Sequence, residues 1–132
     1  MESATTAVHL DAIGQIALTV ANLDQAKAFY RDTLGMQFLF DAGTMAFFQC
    51  GSVRLLIGTG EPSAATTASP GTILYFRVQE IDSVAAALKE KGVRFEQEPH
   101  LVARMKSHDL WIAFLKDPAG NTLALMSEVP RA

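Results

Sequence analysis

Apolar and polar residues alternate from Ile13 to Val20, and that period of two predicts a strand with one buried face. Ile16, Leu18 and Val20 share one side and suit packing under a helix. Gln15, Ala17 and Thr19 share the other. The period then lengthens: Leu23, Ala26, Phe29, Tyr30 and Leu34 form a helical apolar stripe. Asn22 is placed to cap that helix with Gln25 three residues on, and Gly35 suits the left-handed residue that ends it. Met36–Phe40, Met45–Cys50 and Val53–Ile57 read as three further strands, punctuated by Asp41-Ala42-Gly43 and Gly51-Ser52.

The same succession then repeats. Gln15-Ile-Ala-Leu-Thr-Val matches Ile73-Leu-Tyr-Phe-Arg-Val at an offset of 58, which holds through Leu23/Ile81, Asp24/Asp82, Tyr30/Leu88 and Arg31/Lys89. In the second copy Leu74, Phe76 and Val78 share a strand face. Ile81, Val84, Ala85, Leu88 and Lys89 carry the helical period up to Gly92. Val93–Glu96 predicts a short strand. Gln97–Asp109, with Pro99, two histidines and two basic residues, predicts a long loop. Trp111–Leu115 and Thr122–Met126 predict strands around a type I turn at Asp117-Pro118-Ala119-Gly120, and Glu128–Ala132 a tail.

A stretch of Gly, Ser, Thr, Ala and Pro over about 58–71 separates the copies and reads as a linker; it lacks the Gly-Lys-Ser/Thr ending of a phosphate loop. The expected architecture is α+β: one domain over 1–132, with a first βαβββ module at about 10–58 and a second at about 71–128. One unit of about 60 residues buries too little surface to stand alone. The two modules are expected to form a curled mixed β-sheet around a concave cavity, with the helices outside.

Composition narrows the function. The 132 residues are 49% hydrophobic with a mean hydropathy of +0.18, enough for a real core. A net charge of −3 with no basic stripe argues against nucleic acid. No apolar run approaches the roughly 18 residues of a bilayer span. The polar start, Met1–Val8, has no Lys or Arg and does not read as a signal peptide. The single Cys50 fits a reducing compartment, so the expected location is cytoplasmic.

Three stretches carry a family resemblance: Ile13-Gly-Gln-Ile-Ala-Leu-Thr-Val, Ala28-Phe-Tyr-Arg-Asp-Thr-Leu-Gly-Met and Ala113-Phe-Leu-Lys-Asp-Pro-Ala-Gly-Asn-Thr-Leu-Ala-Leu. Within a duplicated βαβββ unit, the chain resembles the vicinal oxygen chelate superfamily of glyoxalases, bleomycin-resistance proteins and extradiol dioxygenases, over roughly residues 10–128. In metal-dependent members, four strand positions supply His, Glu or Gln to one divalent ion. Mapped by motif, those positions are Gln15, Leu55 (or Leu56 if the hairpin slips), Ile73 and Ala124. A divalent ion needs several oxygen or nitrogen donors. One amide among aliphatic side chains does not supply them, so the expectation is a retained scaffold with no metal and no cofactor.

The candidate site residues follow from that cavity. Gln15, Leu55, Ile73, Tyr75, Arg77, Trp111 and Ala124 are expected to line it, with Gln15 as a hydrogen-bonding anchor and Tyr75 and Arg77 offering a hydroxyl and a guanidinium. Phe114 is a further wall candidate, and alternation leaves open which of Phe47 and Phe48 faces inward. His108 beside Asp109, and Tyr75, are the candidates for acid–base work; surface loop histidines are the plainer reading of His100 and His108. Cys50 reads as a small buried hydrophobe, and Glu98, Arg104 and Lys106 as solvated charges.

The function expected from these residues is binding of a small, mostly apolar organic molecule in the cavity, as in resistance proteins; the resemblance further implies a homodimer. The alternative is a lyase, isomerase or dioxygenase with a degenerate or relocated metal site. A third reading is an interaction module whose cavity is filled by its own side chains.

Overall fold

A computed structural model describes residues 7–59 and 72–131. Positions 60–71 of the expected linker lie outside them. The fold is α+β: two four-stranded mixed sheets, neither closed into a barrel. The first contains β1 (Gln15–Thr19), β2 (Gln37–Ala42), β3 (Met45–Cys50) and β4 (Val53–Gly58), in the order β1-β4-β3-β2. The second contains β5 (Leu74–Arg77), β6 (Phe95–Arg104), β7 (His108–Lys116) and β8 (Thr122–Pro130), in the order β5-β8-β7-β6. Each opens with a strand parallel to its last strand, and the remaining pairs are antiparallel.

A helix crosses between the first two strands of each sheet. The first, α1 (Leu23–Ala28), is capped as its sequence predicts: the Asn22 side chain accepts from the Gln25 backbone N–H at 2.9 Å. The second, α2 (Ile81–Glu90), buries Ile81, Ala85 and Leu88. The apolar face of each sheet turns towards the helices. Val20, Ala26, Tyr30, Phe48, Leu55 and Ile57 join Leu88, Ala113, Leu115, Leu123 and Leu125 in one core spanning both copies.

The helices differ in one respect that the repeat hides. After Ala28 the first helix continues as a π turn, Phe29–Thr33, in which Leu34 N–H reaches back to the carbonyl of Phe29 at 2.9 Å. Tyr30 and Leu88 are 58 positions apart, yet the closing glycines Gly35 and Gly92, both with positive φ, are 57 apart. The first helix has one residue more, and the wide turn absorbs it.

That turn buries Tyr30 completely and aims its hydroxyl across to the second module. The Tyr30 hydroxyl donates to Asp117 Oδ2 at 2.8 Å. Asp117 also accepts from the backbone N–H groups of Ala119 and Asn121 and from the Asn121 side-chain amide, at 2.8–2.9 Å. The same Asn121 amide donates to the carbonyl of Thr19 at the end of β1, at 3.3 Å. One carboxylate in the β7–β8 turn thus ties the first helix and, through Asn121, the first strand to the second sheet. Burial, then the Asp117 charge, then the hydrogen bond push the Tyr30 phenol far above its ordinary value, so it stays a proton donor.

Several boundaries differ from the sequence expectation. The segment 97–109 is not a loop: β6 and β7 are long strands joined only by Met105–Ser107. Pro99 is tolerated because β6 is an edge strand, and three register shifts along β6 absorb its irregular pairing. The expected tail at Glu128 is a continuation of β8, paired with β7 as far as Pro130. The second strand begins at Gln37 and runs through Asp41 and Ala42, moving the hairpin turn to Gly43-Thr44.

The Tyr30–Asp117 bond generates two expected outcomes. Tyr30→Phe removes a hydrogen bond to a charged, buried acceptor and should cost about 1–3 kcal/mol in denaturant melts; Asp117→Ala orphans several donors and should cost about 3 kcal/mol or more. The phenol's folded pKa lies above its unfolded value of about 10, so its contribution is intact below that pH and is lost as pH rises beyond it. Stability of the native chain should therefore fall above pH 10 more steeply than that of Tyr30→Phe, by about 1.4 kcal/mol per pH unit.

Candidate functional site

Strand alternation gives each sheet a second face, away from the helices. On the first sheet the register pairs Gln15 with Arg54, Ala17 with Leu56 and Thr19 with Gly58, then Arg54 with Gln49 and Leu56 with Phe47. These side chains share the open face, while Leu55, Ile57, Ala46 and Phe48 lie fully buried on the other. Phe47 therefore faces outward and Phe48 inward to the core. Gln15 is exposed and anchored: Arg54 Nε donates to its Oε1 at 3.1 Å.

On the second sheet, Tyr75 pairs with Ala124, Arg77 with Met126, and Ala124 with Phe114. Tyr75 is 46% exposed and meets Phe114 edge-on, ring centroids 6.1 Å apart. Ala124 is fully buried between these neighbours. Arg77 points largely to solvent, 3.9 Å from Glu128. His108, at the start of β7, lies 3.5 Å from the same carboxylate. The expected partner of His108, Asp109, is engaged elsewhere, by Arg131 at 2.6 Å. Glu128 was missed because the strand was expected to have ended before it.

Two candidate residues fall on the helix side instead. Trp111 alternates with Ile112 and Phe114 and packs against the core with Ala113 and Leu115. Leu55 alternates with Arg54 and Leu56, so Leu56, the other option from the hairpin, is the residue on the face of Gln15. Leu55 nonetheless reaches a cavity. A hollow of about 240 Å³ opens at the seam between the modules, lined by Ile16, Val53 and Leu55 from the first and Ile73, Tyr75 and Phe76 from the second. Half-buried Cys50 also borders it. The seam thus brings together Leu55, Ile73 and Tyr75; Gln15 and Arg77 lie on open surfaces, Trp111 packs against the core and Ala124 is buried.

The donor set does not fit a divalent ion. Of the four mapped positions, only Gln15 offers a ligating atom, and that oxygen already accepts from a guanidinium. A cation placed there would face the positive charge of Arg54 at close range. Among the described residues no three His, Cys, Asp or Glu side chains converge as a metal cage. No helix among them is long and apolar enough to cross a membrane.

Comparison with known proteins accounts for this architecture. The chain is 27% identical to the uncharacterized protein YraH of Bacillus subtilis over 123 residues, covering 84% of this chain and 94% of that one. Its structure is similar to that of a lactoylglutathione lyase from Agrobacterium tumefaciens, with a TM-score of 0.71 and 25% identity over 89% of this chain and 93% of that one. A glyoxalase/bleomycin resistance protein/dioxygenase from Nocardioides superposes with a TM-score of 0.74 at 19% identity, covering 93% and 87% of the two chains. The family profile described as Glyoxalase/Bleomycin resistance protein/Dioxygenase superfamily matches residues 12–125. With its two helix-crossed mixed sheets and this match over most of its length, the chain belongs to the glyoxalase/bleomycin resistance protein/dioxygenase superfamily.

Proposed function

We propose that this superfamily member binds a small, mostly apolar organic molecule at the seam between its two modules, without the divalent ion of its metal-dependent relatives. The observation carrying this reading is the seam hollow of about 240 Å³, walled by Ile16, Val53, Leu55, Ile73 and Phe76, with Tyr75 at its edge. An apolar wall with a single phenolic anchor is the usual make-up of a small-molecule site. The aliphatic residues at the family's ligand positions support the metal-free part. A cytoplasmic setting belongs to the same reading, on the strength of a lone cysteine. So does a homodimer, which small members of this superfamily commonly form.

A lyase or isomerase is the second reading, favoured by the contact of His108 with Glu128 and by the similarity to a lactoylglutathione lyase. There Glu128 would orient His108 for proton transfer. This reading requires turnover in the presence of added divalent ions that His108→Ala and Glu128→Gln each reduce at least about tenfold. A native chain inactive on lactoylglutathione with Ni²⁺ or Zn²⁺ supplied, or variants that keep full activity, removes it.

The binding reading has its own outcome. Toluene or naphthalene should shift the methyl resonances of Leu55, Ile73 and Leu74 saturably, and Ile73→Trp, which fills the hollow, should weaken binding about tenfold or more. Calorimetry with Mn²⁺, Ni²⁺, Zn²⁺ and Fe²⁺ should show no stoichiometric site of micromolar affinity. Methyl shifts that never saturate, or one tightly held ion per chain, would sink the proposal. Light scattering should return twice the chain mass.

A further inference from the structure

The open face of the first sheet carries one charged group among the residues that the strand register places there, Arg54. Its guanidinium is held rather than free to swing. Nε donates to Gln15 Oε1 at 3.1 Å, and the group lies over the Phe47 ring, 5.7 Å from its centroid. Phe47 in turn stacks on Phe40, centroids 4.6 Å apart and planes within 17°. Phe40 remains 45% exposed. The two terminal nitrogens of Arg54 take no acceptor among the described residues. Each other described arginine except Arg94 and Arg104 has a carboxylate within 4 Å.

Two registers further along the same face, the sheet dips. Ala17, Thr19, Met45, Leu56 and Gly58 line a hollow of about 290 Å³. Gly58 forms part of its floor, and a Cβ there would crowd Met45 Cγ at 3.1 Å and the Thr44 carbonyl at 3.2 Å. From Arg54 to Gly58 the strand spans roughly 13 Å. An anchored cation, the edge of a stacked aromatic pair and a shallow hollow therefore follow one another along the sheet.

We infer that this face is a binding site for a planar aromatic carboxylate, held by the Arg54 guanidinium with its ring at the edge of Phe47, whose two faces are taken by Phe40 and Arg54, and its body towards Leu56 and Gly58. It is distinct from the seam hollow, and its ligand differs in carrying an anionic head. The guanidinium fork matches a carboxylate in two parallel hydrogen bonds, and Gln15 turns the fork so that its terminal nitrogens are the ones presented. The face accordingly selects an anion directly.

The test is a pair of probes, 2-naphthoate and the neutral 2-naphthamide, titrated into the isotopically labelled full chain. Naphthoate should move the Arg54 Nε–Hε resonance and the methyls of Met45 and Leu56 saturably, and should bind about tenfold tighter than the amide. In Arg54→Gln that preference should vanish while the amide's affinity stays within twofold. Arg54→Lys, which keeps the charge without the fork, should fall between. Equal affinity for acid and amide in the native chain, or an acid preference that survives Arg54→Gln, overturns the inference. So does saturation that moves only Leu55 and Ile73 at the seam, an outcome that leaves the seam reading intact. Failure of both probes to saturate anywhere removes both.

Discussion

One buried carboxylate joins the two halves of this molecule. Asp117 gathers donors from its own turn, from Asn121 and from the Tyr30 hydroxyl 87 residues away. A charge this deeply buried is tolerable only when its lone pairs are nearly all taken, and here they are. Apolar packing alone would let the modules slide, since it is indifferent to register. Hydrogen bonds of fixed length and direction are not. The seam hollow, whose walls come from both modules, owes its shape to that lock.

The lock also explains a division of labour between sheet faces. The helix-side faces merge into a single core, with the seam hollow at its margin. The opposite faces carry exposed aromatic rings, an anchored guanidinium on one sheet and a histidine–glutamate contact on the other. Membership of the superfamily does not by itself specify a reaction, since one scaffold carries several chemistries.

Much of the fold was legible in the chain because it was written twice. Alternation placed Ile16, Leu18 and Val20 towards the helices, and the Asn22 cap and Gly35 closure follow from local stereochemistry. The loop assigned to 97–109 failed for a specific reason. Pro99 and charged neighbours signal an irregular connection, yet an edge strand accepts both at bulges, and edge position is a property of the whole sheet. The site was harder to read. Counting from a turn glycine set Leu55 on the open face, and an error of one residue inverts every side chain in a strand. Arg54 and Glu128 drew no notice, since an isolated charge looks solvated until its neighbours across the sheet are known.

The π turn at Phe29–Thr33 has a consequence for how this chain can change. Deleting its surplus residue would restore regular α winding and make the halves equal in length, a seemingly harmless edit. But Tyr30 is the second residue of that turn, and its hydroxyl reaches Asp117 along the path the turn gives it. Regular winding would re-aim the phenol and leave a buried carboxylate one donor short, so the extra residue is what the join between the modules requires.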